Sequence, residues 1–383
     1  VGIKTLFVTH YAEMYGANKS LCTLIVELRD NYGIRPVVLL PRSGSICEFL
    51  TENNIKHYIS PYYWWVNNNQ GGFQRLLNVR KQFRNIFRIP KLVNLIKNEH
   101  IDLVYSNSIT INIGYFLSIK LNCPHIWHIR ESLDQFNFKF SLGNFLSKFF
   151  LKRGAAKYIV ISDFLKNSYD NLLPLGKTEK VYNGVSLNLE ERISNSVAEV
   201  LKICCVGVLC EQKNQLDVLR AICLLRQNGI TNVRLHLIGS AKKEYLEEIR
   251  QYITCNNLLE EIVLHGHQTN VNELLATMNI GIMTSRDEAF GRVTVEYMLH
   301  KMPVIASISG ANEEINKDGV TGFMYQLGKV EELSQKIKYF IDNPAELQRM
   351  GNAAQIHATT NFSSKQNSRA IYQIIKDLTA QPK

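Results

Sequence analysis

The 383-residue chain has no uninterrupted apolar run of about 18 residues, so no membrane-spanning helix is expected. It has no CxxC pair. Its eight cysteines (22, 47, 123, 204, 205, 210, 223 and 255) sit mostly inside apolar segments, which favours buried, reduced thiols of a cytosolic protein over disulfides. The opening "VGIKTLFVTH" runs straight into a strand-like stretch, with no n-region, h-region or cleavage site. No secretory leader is therefore expected, and Val1 is not a native start. No GxGxxG follows this first strand, which disfavours an NAD-dependent dehydrogenase. Internal repeats and low-complexity tracts are absent, and so are acidic residues from Asn53 to Asn98.

What is present reads as an ordinary globular chain, 45% hydrophobic and 20% charged. Its length favours two domains, since single cores stop growing near about 250–300 residues. Apolar, β-branched runs recur: "TLFVTH", "RPVVLL", "IDLVYSNS", "HIWHIR" and "KYIVIS", then "LKICCVGVL", "VRLHLIG", "IVLHG", "NIGIMTS" and "MPVIAS". Amphipathic stretches of helical length separate most of them. Continuous apolar strands alternating with helices predict α/β architecture, with parallel sheets covered on both faces. The series breaks at the polar stretch "VYNGVSLNLEERISNSVAEV", read as the link between two doubly wound domains.

The segment "DEAFGRVTVEYM" places Glu288 and Glu296 eight residues apart. On one continuous helix those side chains would stand about 80° apart, too far to share a small target. A strand ending near Thr284, a loop from Ser285 to Phe290 and a helix from Gly291 remove the difficulty. Glu288 then projects from a loop at the carboxyl edge of the sheet, where open α/β folds bind ligands. Glu296 sits in the first turns of the helix. Unpaired amides near Gly291, with Arg292 beside them, suit a phosphate. A capped surface helix bearing two solvated acids fits the spacing equally well.

With these residues the chain resembles retaining GT-B glycosyltransferases of glycosyltransferase family 4. The family's E-x7-E signature looks like Glu288 to Glu296. "MYGANKSL" is similar to its N-terminal glycine loop, "YIVISDFLKNSY" to its V-x-S-x-x-L-K segment and "VYNGVS" to its NGVD. "VGVLCEQKNQLDVLRA" resembles GRL-x3-KN, and "ISGANEEINKDGVTGFMY" resembles GG-x-x-E-I…DG-x-TG. The six matches follow in family order across nearly the whole chain. Two positions depart from the pattern: Val208 stands where the family commonly has arginine, and Ser186 where it has the aspartate of NGVD.

The resemblance implies two Rossmann-like doubly wound domains facing an interdomain cleft. Residues 1–187 would form an acceptor- and membrane-facing domain, rejoined by a C-terminal helix at 362–383, and residues 188–361 would bind the nucleotide sugar. Glu288 would hold donor-sugar hydroxyls, Glu296 the ribose, and Lys213 with Arg292 the diphosphate leaving group, where preorganised cations lower the barrier. Phe290, Gly291, Gly207, His267 and Gly16 are further donor-binding expectations. His128, at the end of "HIWHIRES" with Arg130 and Glu131, is the candidate facing the reacting sugar carbon, with His125 the competing choice. No metal and no other cofactor is expected, and His265-Gly-His267 is read as meeting the nucleobase rather than a metal. The expected reaction is transfer, with retention, from a nucleotide sugar (a UDP-sugar favoured, a GDP-sugar as second choice) to a glycan or lipid-linked acceptor. A sugar-nucleotide epimerase or hydrolase, and a non-catalytic nucleotide-sugar-binding module, are the alternatives on the same fold.

The formal charge of +10 is uneven. Val1 to Val185 holds 23 basic and 12 acidic residues, a net of +11, and the remainder 21 and 22, a net of −1. The acid-free window contains "YYWWVNNNQGGFQRLLNVRKQFRNIFRIPKLVNLIK". A second, "QFNFKFSLGNFLSKFFLKRGAAK", carries six phenylalanines among Lys139, Lys148, Lys152 and Arg153. Aromatic and basic residues together suit docking on an anionic leaflet. The expectation is a cytoplasmic enzyme peripheral on the inner face of the plasma membrane, with no nucleic-acid partner. The bland alternative makes the phenylalanines core and the cations a solvated face.

Overall fold

The computed structural model describes residues 2–68, 72–134, 137–186 and 200–380, with the backbone alone at 72–76. The chain divides into two compact units, one of Val1–Gly184 with Ser363–Lys383, the other of Val185–Phe362. Most of the expected linker, 187–199, lies outside the described residues.

The first unit contains β1 (Lys4–Val8), β2 (Arg35–Leu40), β3 (Lys56–Ile59), β4 (Val66–Asn68), β5 (Leu103–Ser106), β6 (His125–Ile129), β7 (Phe138–Phe140), β8 (Lys157–Val160) and β9 (Thr178–Lys180). Seven of these form one parallel sheet in the order β3-β2-β1-β5-β6-β8-β9. All ten apolar runs read as strands lie in the two main sheets. The short antiparallel pair of β4 with β7 was not anticipated, because three-residue strands leave too little alternation to read.

Covalent continuity is broken in this unit, and packing restores it. The helix Gly16–Tyr32 buries Leu21, Leu24, Ile25 and Leu28, spaced along one stripe. It stops at Gly33, whose φ of 68° admits the left-handed turn that caps Arg29 and Leu28. The final helix, Ser364–Ala380, adds Ile371, Ile374 and Ile375 to the same core and stacks Tyr372 on Tyr32 at 4.5 Å. Each such buried side chain is worth about 1.5–3 kcal/mol, enough to bind a 17-residue helix back to the unit that its chain had left.

The second unit contains β10 (Leu201–Val206), β11 (Val233–Ile238), β12 (Ile262–Gly266), β13 (Ile280–Met283), β14 (Val304–Ser307) and β15 (Gly322–Tyr325). They pair in parallel as β12-β11-β10-β13-β14-β15, with Cys204 opposite Gly281. The chain order reverses between β10 and β13 here, and between β1 and β5 in the first unit. In open α/β sheets a crevice forms outside the carboxyl ends of the strands at such a reversal. All eight cysteines are free. Among the described residues, no helix is long and apolar enough to cross a membrane.

Candidate functional site

The loops leaving β10 and β13 meet at the reversal point of the second unit. The β10 loop turns tightly because the Gln215 amide bridges it, accepting from the Cys210 amide at 3.4 Å and donating to the Val208 carbonyl at 3.1 Å. The β13 loop then holds it: Thr284 Oγ1 donates to the Lys213 carbonyl at 2.6 Å, and the Arg286 amide to that of Gln212 at 2.9 Å. Lys213 Nζ consequently reaches Glu288 Oε2 at 2.6 Å, across 75 residues of sequence.

This pair is partly open to solvent, with side-chain exposures of 29% for Lys213 and 14% for Glu288. Burial alone would raise the Glu288 pKa, but the ammonium beside it, with bonds from Ser285 and the Gly291 amide, holds the carboxyl below its usual range. Burial opposes the charge on Lys213 as well, and Glu288 overrides it, keeping the ammonium above its usual value. Both groups therefore stay charged at neutral pH.

Gly291 has φ 84° and ψ 51°, a conformation glycine adopts without strain, and the helix Arg292–Leu299 starts from it. Arg292 Nε bonds Glu296 Oε1 at 2.9 Å one turn on. A cation and a carboxylate therefore occupy this helix start, as they do the loop. Around Gly291, Thr294 Oγ1 and Asn312 Oδ1 are buried with no hydrogen-bond partner among the described residues.

A brace behind the site went unread. Asp287, at φ 54°, donates its amide to Ser309 Oγ at 2.7 Å, and the Ala311 amide bonds the Glu288 carbonyl at 2.7 Å. A Cβ on Gly310 would lie 2.3 Å from the Glu288 oxygen, so the two backbones touch there. The available signal was the Ser-Gly-Ala turn of "ISGANEEI", which the sequence does not tie to Glu288.

The remaining expectations divide. Gly207 ends β10, and a Cβ there would face Lys213 Cε at 4.0 Å. Val208 is exposed, so the position of the family arginine holds an apolar side chain at the surface. His267 is exposed just past the end of β12, two strands from β10. Its neighbour His265 bonds His236 at 2.9 Å, and among the described residues no cluster of metal-ligating side chains occurs. Phe290 corrects the reading of its side chain: the ring is buried edge-on to Phe362 at 5.8 Å and is aimed into the unit.

In the first unit Gly16 opens the helix after β1, and a Cβ there would meet nothing. His128 requires a correction of place. It lies inside β6, fully buried and bonded to Tyr105, because both faces of that strand are covered. Burial, then Arg130, keeps its pKa well below the usual imidazole range. His125 is also enclosed, bonded to Ser106 and Gly154. Arg130 and Glu131 stand at the strand's carboxyl edge instead. Arg130 bonds Asn107 at 2.7 Å and also Asn183 of the "NGV" segment.

Burial pushes the Glu131 carboxyl up to about 7, against the pull of Ser108 and Arg130. His10 Nε2 is 3.5 Å away, and burial with Arg130 lowers that ring to about 3. An acid with a raised folded pKa holds its proton in the native state while the unfolded chain releases it. The native state therefore loses stability as pH rises from about 4.5 to about 7. Glu131→Gln should gain on the wild type across that window by on the order of 3 kcal/mol. Thermal melts between pH 4.5 and 8 check this, and a constant difference between the two proteins would refute it.

Residues 189–357 match the family model described as glycosyl transferases group 1, and residues 15–189 that of glycosyltransferase family 4. An uncharacterized glycosyltransferase of Methanocaldococcus jannaschii is 30% identical over 264 residues, 68% of this chain and 70% of that one. The capsular polysaccharide biosynthesis glycosyltransferase CapH of Staphylococcus aureus is 22% identical over 60% of this chain and 66% of its own length. Among solved structures, HepE of Anabaena in complex with UDP superposes with a TM-score of 0.80 at 23% identity, covering 98% of this chain and all of that one. A glycosyltransferase of Rickettsia africae gives 0.82 at 18% identity, with both chains covered in full. These likenesses identify the fold as GT-B.

Proposed function

The chain belongs to glycosyltransferase family 4 and is a glycosyltransferase; on that premise we propose that it moves a sugar, with retention and without a metal, from a UDP-sugar to a glycan or lipid-linked acceptor of a surface polysaccharide. The observation that carries this is the Lys213–Glu288 pair, set at the sheet's reversal point beside the Gly291 helix start. The two cations, Lys213 and Arg292, are each paired with a carboxylate in the free protein, Glu288 and Glu296. When a diphosphate takes Lys213 and Arg292, Glu288 is released to the sugar hydroxyls and Glu296 to the ribose. Negative charge grows on the leaving phosphate as the glycosidic bond breaks, and the two fixed cations stabilise it without reorganising. The choice of uridine rests on the neighbour HepE, solved with UDP. The surface-polysaccharide assignment rests on relatives such as CapH.

Incubation of the protein with labelled UDP-sugars and bacterial membranes tests the reaction. Label should enter a lipid-linked or polymeric fraction in step with UDP release. Label recovered only as free or isomerised sugar would establish the hydrolase or epimerase reading instead.

The acceptor side of the proposal includes docking on an anionic bilayer. The helix Gly72–Ile96 exposes Phe83, Ile86 and Phe87, the last at 81%, within about 100° of arc. Arg80, Arg84 and Lys91 flank them. The helix Gly143–Arg153 exposes Phe145, at 85%, with Leu146 and Phe149, and Arg153 lies 4.4 Å over the Phe149 ring. Both helices pack on the helix Ile113–Leu121, so the two apolar rows share one layer of the unit. The sequence reading was too inclusive, since Tyr62, Trp65 and Phe140 are buried. Phe136 and the side chain of Arg75 lie outside the described residues. Sedimentation with vesicles containing anionic lipid should show salt-sensitive binding, weakened about tenfold or more in a Phe83→Ser, Phe87→Ser double variant. No binding of the wild type at low salt would sink the idea.

A further inference from the structure

The first unit holds a second feature that the donor chemistry does not use, a groove of about 580 Å³ over the segment Pro61–Asn68. Its lining includes Tyr11, Trp64, Asn67, Asn78, Arg42 and Lys81, and none of its lining residues is acidic. The segment is fixed from below and from the side. Tyr62 donates its hydroxyl toward the Thr9 and Leu39 carbonyls, at 2.6 and 2.9 Å, and Trp65 Nε1 bonds the Ile109 carbonyl at 2.6 Å. From the neighbouring helix, Asn85 clasps the Tyr63 backbone through both amide atoms, at 2.9 and 2.8 Å, and Gln82 bonds the Trp64 carbonyl at 2.7 Å. Trp64 Nε1 donates to the His10 carbonyl at 2.6 Å, which fixes the indole's orientation.

Three observations select a ligand. Trp64 is 37% exposed although it is bonded in place, whereas Trp65 and Trp127 are fully buried. A fixed, half-open indole beside side-chain amides suits the apolar face and the hydroxyls of a sugar. His10 lines the same groove at 5% exposure, and its Nδ1 has no partner among the described residues. Burial keeps that ring neutral at physiological pH, so it adds no charge to the groove. Arg42 is partly neutralised by Glu13 at 2.7 Å, but Lys81 bonds only the Asn78 amide oxygen, at 3.2 Å, among the described residues. Lys81 is therefore the cation left for a ligand.

We propose that this groove binds the acceptor and selects one with an anionic group on its sugar, the ring lying on Trp64 and the anion at Lys81. The inference rests on the glycosyltransferase reading and adds the acceptor's chemical class. The anion could be a uronate carboxylate or a sugar phosphate, since both present oxygens to an ammonium.

Trp64 supplies the readout, because it is the exposed one of the three tryptophans. Fluorescence titrations are made with UDP saturating the donor side, using hyaluronan tetrasaccharide as the uronate probe, glucose 1-phosphate as the phosphate probe and maltotetraose as the neutral control. The proposal expects saturable quenching by at least one anionic probe, at least tenfold tighter than by maltotetraose. The probe that quenches identifies the source of the anion. Lys81→Met should remove that preference and leave maltotetraose unchanged, and Trp64→Phe should remove the signal while thermal stability persists. Equal binding of charged and neutral probes, no saturable quenching, or an unchanged preference in Lys81→Met would overturn it. The UDP-induced thermal shift is recorded on the same samples. If it is present while the glycan arms fail, only the groove assignment falls; if it is absent, the donor reading itself fails.

Discussion

Lys213→Ala should lower kcat by about a thousandfold while leaving a folded protein. Removing one preorganised donor from a developing oxyanion costs about 10²–10³ in kcat, and Lys213 carries a full charge at the proposed leaving group. Its loss also leaves Glu288 beside no cation, so that carboxyl should return toward or above its ordinary range. The structural cost is smaller, because both side chains keep access to water. Steady-state kinetics beside a thermal melt separate the two effects. A variant with near-normal turnover would remove Lys213 from the mechanism, and one that fails to fold would make the pair structural.

Gly310→Ala should be almost as damaging to turnover, from a residue that need not touch substrate. The new methyl would lie 2.3 Å from the Glu288 carbonyl oxygen and 2.4 Å from its amide nitrogen, and φ at Gly310 is 58°. Real contacts do not come that close, so the Glu288 loop must move outward and the Ala311-to-Glu288 hydrogen bond must lengthen. Displacing a positioning group by about 1 Å can cost a hundredfold in rate. The strained backbone adds about 1–3 kcal/mol of instability. Turnover should fall about a hundredfold while affinity for UDP falls much less, since Lys213 and Arg292 remain. Unchanged turnover would show that the brace does not set the position of Glu288.

These two variants mark how far the sequence could be read. Glu288 was legible because it sits just past a strand, where open sheets bind, whereas Lys213 was singled out only by the resemblance of its motif to the family's. Their contact, and the Gly310 brace, depend on which strands are neighbours, and a repeating series of buried strands does not encode its own order. His128 was misplaced for a related reason. When both faces of a strand are covered, the alternation that tells inside from edge disappears, and only the end of pairing at Ile129 shows that Arg130 and Glu131 lie past the strand's carboxyl end. The acid-free window misled in another way. Its aromatics have one composition but three fates: Trp65 in the core, Trp64 on a groove and Phe87 in solvent. Composition reported the charge of that surface faithfully and said nothing about which rings reach it.

The central claim is that a nucleoside diphosphate displaces Glu288 from Lys213 at the end of β10. Calorimetric titration of the intact chain with UDP, in wild type and Lys213→Ala, tests it most directly. Saturable binding to the wild type, weakened at least tenfold in the variant, is the predicted result. Equal affinity in the two proteins, or no UDP binding to the wild type, would contradict it.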